Sequence, residues 1–244
     1  MVPALRPGYI EGAAAPFEGV NVLRITIEGL KHVIYRTPFA KYLAHRYQYC
    51  FTPAQLSFLL ECVDRTASLP GPILEVGCFT GVTTVWLNKH LAATGIKKPY
   101  VAIDTFQGFL ASDLRHEVKV RSKDGRPMRN AFRYNHRSWV AKALALNEVD
   151  NVTLIRADAS HFDYSAYRDI SFALIDVDLY LPVRSALQAL FPVMAPGGVI
   201  VVDDCLADNM YDGALQAYRE FTAAQGLPER ITHGKLGVID VPHR

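Results

Sequence analysis

ILEVGCFTG, residues 73–81, decides how this chain is to be read. A short apolar run, 73–76, enters a turn bracketed by Gly77 and Gly81, and a helix over 81–94 is expected to follow. A strand that hands a glycine turn to a helix start opens an α/β sheet, in which ligands bind outside the carboxyl ends of the strands. The glycines permit a tight turn and a close backbone approach. A dinucleotide fingerprint would read GxGxxG, its second glycine making room for pyrophosphate. Here the spacing is GxxxG and Phe79 fills that neighbourhood, which weakens a nicotinamide-dinucleotide reading. No GK[ST] follows, so there is no phosphate loop of that type either.

Outward from this stretch the pattern repeats. Apolar runs lie at YVAID (100–104), NVTLIRA (151–157), ISFALID (170–176) and GVIVVDD (198–204). Between and after them, helices are expected over 138–148, 182–194 and 209–224. Unbroken apolar strands alternating with amphipathic helices indicate a parallel sheet covered on both faces. PERITH and KLGVIDV, separated by little more than Gly234, should form an antiparallel hairpin at the sheet edge. The expected fold is therefore α/β: a doubly wound, Rossmann-like sheet of five parallel strands, plus an antiparallel C-terminal hairpin.

Upstream, residues 1–20 read as a loose arm and 21–66 as aromatic-rich helices, broken near Thr37-Pro38 and Thr52-Pro53. Thr52 is placed to cap a new helix that has proline at its first position. The expected division is an N-terminal helical lid or extension, 1–66, and the α/β domain, 67–244. Residues 108–137 are polar, basic and weakly periodic. A loop of that length in a compact domain is a functional lid or a solvated insertion.

Composition sets the outer bounds. The chain has 244 residues, half of them hydrophobic, with Lys+Arg 26 against Asp+Glu 24. That balance provides no overall electrostatic footprint for nucleic acid or a membrane surface. Cys50, Cys62, Cys78 and Cys205 form no CxxC pair, so neither a zinc site nor a disulfide framework is expected. The opening MVPALRPGYIEGAAAPFEG lacks a basic-then-apolar pattern, and no apolar run is long enough to span a bilayer. A cytoplasmic protein with a small-molecule partner is expected. The apolar-aromatic N-terminal region makes a homodimer plausible.

The acidic residues are placed for a charged nucleoside ligand. Glu75 precedes Gly77, where a carboxylate suits an ammonium and would be a poor neighbour for pyrophosphate. Gly77, Cys78, Thr80 and Gly81 form the turn that would approach the ligand. Asp104, followed by Thr105, ends the second strand, where a carboxylate can accept both ribose hydroxyls. Asp158 ends the third and is placed to accept from an adenine amino group. Each could instead cap the helix after it. Three in register favour the ligand reading, with S-adenosylmethionine as the cofactor.

The fourth strand ends Asp176-Val177-Asp178-Leu179-Tyr180 and the fifth ends Asp203-Asp204-Cys205. If these strands are neighbours, four carboxylates meet at one rim, where some must be protonated or paired with a cation. A divalent ion with oxygen ligands, Mg2+, answers that need, with Asp176, Asp203 and Asp204 as ligands. Asp176 would also face the cofactor. A metal-bound hydroxyl is a better nucleophile, and Asp178 would take its proton as general base. The competing reading makes Asp178 and the Asp203-Asp204 pair helix caps.

GPILEVGCFTGVTT, YVAIDTFQGF, FALIDVDLY and APGGVIVVDDC together resemble the macrocin O-methyltransferase family, over about residues 70–205. The resemblance implies a class I S-adenosylmethionine-dependent enzyme that methylates a sugar hydroxyl. It also implies magnesium on Asp176, Asp203 and Asp204, the base at Asp178, and ribose on Asp104. Where family members follow DLY with a polar residue and Ser-Thr, this chain has Leu181-Pro182-Val183; where an aromatic follows DD, it has Cys205. His136 and Trp139 are further candidates for the acceptor pocket, and His161 for the adenine. The aromatic segment 42–51 could be a lid, and the basic stretch 115–137 could hold an anionic acceptor. Lys235 reads as structural. Two other functions stay open: a nucleotide-cofactor oxidoreductase, and a non-catalytic S-adenosylmethionine-binding protein.

Overall fold

The computed structural model describes residues 29–40 and 47–243. The chain divides into two compact units, Met1–Gln48 and Tyr49–Arg244. In the first, residues 29–34 are helical. The arm expected over 1–20, and Tyr42 of the aromatic segment, fall outside the described residues.

The second unit carries a seven-stranded sheet in the order β3-β2-β1-β4-β5-β7-β6. Its strands are β1 (Ile73–Val76), β2 (Tyr100–Asp104), β3 (Val152–Arg156), β4 (Ile170–Ile175), β5 (Met194–Val202), β6 (Ile231–Thr232) and β7 (Leu236–Asp240). The first five pair in parallel; β7 runs antiparallel to β5, and β6 to β7. The expected fold is the observed one.

Alternation along the strands splits the core into two layers. Leu74, Val76, Val101, Ile103, Ala173, Ile175, Ile200 and Val202 face one side, against α6 (Tyr180–Leu190) and α7 (Gly213–Gln225). Ile73, Tyr100, Ala102, Phe172, Leu174, Val199 and Val201 face the other. There they meet α1 (Pro53–Arg65), α2 (Val82–Thr94) and α5 (Arg137–Leu146). Both faces are apolar because both are covered, which explains the unbroken runs. At the start of α1, Thr52 accepts from the Gln55 amide and Gln55 Oε1 accepts from the Thr52 amide at 2.7 Å, a reciprocal cap.

The basic stretch departs from expectation. It holds two helices, α3 (Ala111–Lys119) and α4 (Gly125–Met128), and ion pairs as well as the buried Met128 tie it to the domain. Arg121 bridges Glu117 at 2.5 Å and Asp212 at 2.8 Å, and Lys123 reaches Asp212 at 2.5 Å. Glu117 is 1% exposed, and its Oε1 accepts the Tyr180 amide at 2.8 Å, capping α6 from outside the helix. That cap is why α6 begins at Tyr180, two residues before the expected start. The basic side chains Arg121, Lys123 and Arg126 all pair with carboxylates, so they are not a free anion-binding patch. Among the described residues no helix is long and apolar enough to cross a membrane.

Candidate active site

The order β2-β1-β4 makes β1 the point where the winding reverses, and in such sheets ligands bind outside the carboxyl ends there. The loop after β1 is shaped by that neighbourhood. Gly77 has φ +91°, and a Cβ on it would lie 1.9 Å from the Asp176 carbonyl oxygen, so only glycine fits. Gly81, at φ +80°, starts α2. Asp104 organises the turn between them. Its Oδ2 accepts the amides of Cys78 (3.1 Å) and Phe79 (2.8 Å), and its Oδ1 accepts the Phe106 amide (2.6 Å). A carboxylate has about four lone-pair positions, so capacity remains for a ribose hydroxyl. Burial raises the Asp104 pKa, and these amide bonds oppose that rise. Thr105 donates to the Gly108 carbonyl at 2.8 Å and closes the adjoining turn.

Two expected cofactor residues have partners within the chain. Glu75 is 1% exposed and accepts from Thr84 Oγ1 (2.6 Å) and Tyr100 Oη (2.8 Å), beneath α2. Asp158 accepts the Ser160 amide at 2.9 Å and meets His161 Nδ1 at 2.5 Å, so it shapes its own turn as well. His136 caps α5 by accepting the Ser138 amide at 3.2 Å, and Trp139 is exposed.

The ends of β4 and β5 bring Asp176, Asp178, Asp203 and Asp204 together. Ile175 pairs with Val202, and the Asp203 amide donates to the Ile175 carbonyl at 2.9 Å. Burial first, and then the neighbouring carboxylates, push the Asp176 and Asp178 carboxyls well above the usual range. Asp203 is raised for the same two causes. Asp178 sits at φ +60°, and the Leu179 amide donates across it to the Val177 carbonyl at 2.6 Å. A side-chain residue at the apex of so tight a turn is strained, and such strain gathers at functional sites.

Among the described residues, Lys235 is the cation that faces the rim. Lys235 Nζ lies 2.6 Å from Asp203 Oδ2 and 3.1 Å from Asp204 Oδ1, over the Phe51 ring at 5.0 Å. Burial opposes its charge, but Asp203 and Asp204 outweigh that and hold its pKa above the ordinary lysine value. Asp203 Oδ1 is buried without a hydrogen-bond partner. The magnesium expected on Asp176, Asp203 and Asp204 does not fit this arrangement. Among the described residues no group of three or more His, Cys, Asp or Glu is disposed to hold a metal ion, and two of the three expected ligands are in contact with an ammonium.

An aromatic wall stands beside the rim. Phe132 packs edge-on against Phe79 (5.0 Å) and Phe109 (5.3 Å), and Tyr211 lies 5.9 Å from Phe109. Burial raises the Tyr211 hydroxyl pKa to about 12, and the charges of Asp178 and Asp204 add to the shift.

Comparison with known proteins bears on what such a site does. Residues 74–205, just over half the chain, match the family model described as Methyltransferase domain. The chain belongs to this family. It is an S-adenosylmethionine-dependent methyltransferase. Solved structures share the methyltransferase's fold. The O-methyltransferase NovP matches at 18% identity and TM-score 0.66, covering 91% of this chain and 98% of that one. The calicheamicin methyltransferase CalS11 matches at 17% and 0.61, covering 93% and 99%. TomG from Streptomyces achromogenes, solved with S-adenosylmethionine, matches at 16% and 0.50, covering 89% of each chain. A comparison with curated proteins finds no match.

Several residues around the site were not foreseen from the residues alone: Lys235 as a partner of the acids, the wall of Phe109, Phe132 and Tyr211, and Glu117 as a remote cap. Only tertiary placement reveals them; their local patterns carry no signal.

Glu75 makes a stability prediction for this methyltransferase. Burial pushes its pKa from 4.5 to about 7. Between those values the folded chain holds a proton that the unfolded chain has lost, so stability falls as pH rises through the window. The shift is worth roughly 3 kcal/mol. Glu75→Gln keeps an acceptor for Thr84 and Tyr100 without the buried charge. Its melting temperature at neutral pH should exceed that of wild type, and its slope between pH 4.5 and about 7 should flatten. Parallel profiles would refute the buried-charge account. An unchanged affinity for S-adenosylmethionine would confine Glu75 to structure.

Proposed function

We propose that this methyltransferase moves a methyl group from S-adenosylmethionine to a hydroxyl of a small ring-bearing molecule, a sugar or another natural product. The observation that carries this reading is the set of four buried or half-buried carboxylates at the ends of β4 and β5. They adjoin the β1 loop through Gly77 and the Asp176 backbone. An acidic rim suits the sulfonium of the donor. The aromatic wall offers faces on which a ring can stack. The names of the structural relatives, two of them O-methyltransferases, support oxygen as the acceptor atom.

In this reading the hydroxyl oxygen attacks the methyl carbon in line with sulfur. The O–C bond forms as the C–S bond breaks, and sulfur leaves as a neutral thioether with the bonding pair. The hydroxyl proton passes to a carboxylate oxygen of Asp178. Burial and the neighbouring Asp204 raise the proton affinity of Asp178, which a general base requires. The turn of Gly77–Gly81 and Asp104 aligns the donor, and alignment is a large part of catalysis in such a displacement. The scheme uses no metal: Lys235 already contacts one oxygen of Asp203 and one of Asp204, two of the three expected ligands.

Two measurements test the proposal. Calorimetric titration should show saturable binding of S-adenosylmethionine and none of NAD. Methyl-labelled donor, offered with a panel of hydroxylated sugars and phenols, should yield a labelled ether. Binding of NAD alone would replace the reading with an oxidoreductase. Donor binding without transfer to any hydroxylated acceptor would leave a binding protein.

A further inference from the structure

We propose that Lys235 is the resident cation of the acidic rim and takes the place of a divalent metal ion there. This rests on the rim being the reaction site. Lys235 acts through the aspartates, so it is a positioning residue.

The ammonium touches oxygens of two successive aspartates, 2.6 Å from Asp203 Oδ2 and 3.1 Å from Asp204 Oδ1. Magnesium requires oxygens at about 2.0–2.1 Å in near-octahedral array. An ion that met both aspartates at that distance would collide with, or strongly repel, the ammonium between them. Nor is Lys235 a loose surface side chain that could swing aside at no cost. Its carbonyl accepts the Cys205 amide at 2.8 Å, so its backbone is tied to the segment that carries Asp203 and Asp204. It leads into β7, which pairs with β5. The preceding turn is held from α1, where Gln55 Nε2 donates to the His233 carbonyl at 2.8 Å. Phe51, 1% exposed, lies under the ammonium at 5.0 Å and adds a cation–π contact. Backbone, strand pairing, aromatic face and carboxylates all hold one positive charge at one point. The ammonium leaves Asp203 Oδ1 open, and a hydroxyl donor from the acceptor would complete it.

The full chain is titrated with Mn2+ in the presence of S-adenosylmethionine, and loss of the free-ion electron paramagnetic resonance signal reports binding. Wild type is expected to show no saturable site at the rim. Lys235→Met removes the charge and should gain a Mn2+ site, with affinity raised roughly tenfold or more. Lys235→Arg restores the charge and should abolish the gain. Lys235→Met with Asp203→Asn should lose it again, locating the ion at the rim. Stoichiometric Mn2+ binding by wild type that is lost on Asp203→Asn would overturn the proposal, and this measurement stands whether or not Lys235→Met folds. A folded Lys235→Met chain that gains no site would overturn it too. Failure here is distinct from failure of the methyl-transfer reading, which shows as loss of donor binding in the same samples.

Discussion

Asp178→Asn is expected to slow methyl transfer by about 10²–10⁴-fold while leaving donor affinity and melting temperature nearly unchanged. The substitution keeps the shape of the side chain and removes only its capacity to take a proton. Asparagine also tolerates the left-handed backbone that Asp178 adopts at φ +60°. The γ-turn, closed by Leu179 donating to Val177 at 2.6 Å, should therefore survive. Removing one carboxylate from a group that raises its own pKa values also relieves repulsion, so any change in stability should be small or positive. The check is a rate with labelled donor at saturation, beside a calorimetric affinity. A variant as active as wild type would remove Asp178 from the chemistry and leave the acidic rim a purely electrostatic feature.

Gly77→Ala should do the most damage to the fold. The backbone at φ +91° is one that side-chain residues adopt at a cost of roughly 1–3 kcal/mol. The added methyl would also stand 1.9 Å from the Asp176 carbonyl oxygen and 2.6 Å from its carbon. These are main-chain atoms of a core strand end, and no rotamer change relieves the clash. Forced overpacking of this sort adds about 1–3 kcal/mol more. The glycine loop must then part from the end of β4, breaking the Gly77 amide's 2.8 Å bond to Ile103 or the Asp176 amide's 2.8 Å bond to Val76. Denaturant unfolding should register several kilocalories of lost stability, and donor affinity should fall with it. Wild-type stability would mean that this loop is less closely packed than described. Gly81→Ala provides the contrast: φ +80° strains alanine there too, but the nearest atom is a side-chain methyl of Val140 at 2.9 Å rather than main chain, so its loss should be smaller.

Much of this was legible in the residues, for particular reasons. Strands β1, β2 and β4 are buried on both faces, so each appears as an apolar run ending in Gly or Asp, and alternation with helix-length segments orders the sheet. The aspartates at the ends of β4 and β5 stand out because charge is costly at the end of a buried strand. The partner of those acids does not stand out. Lys235 lies 32 positions after Asp203, in a turn of ordinary composition, and only the antiparallel return of β7 carries it back. The insert hid for a different reason. Much of its docking comes from Glu117, Arg121, Lys123 and Asp212 neutralising one another, and such residues leave no apolar periodicity to detect. Asp158 and Glu75 show the reverse. Both stand at strand ends where a ligand contact is expected, and both have intramolecular partners that composition alone could not foretell.

The reach of Glu117 to the first amide of α6 has a consequence for how this enzyme can diversify. Tyr180 lies two positions beyond Asp178, so the segment that contributes Phe132 to the aromatic wall also fixes the helix start next to the proposed base. Exchanging that segment to admit a different acceptor would at the same time disturb the carboxylate proposed to take the proton. New selectivity in this scaffold therefore has to arise from changes that spare one buried glutamate, or from paired changes that rebuild its seat.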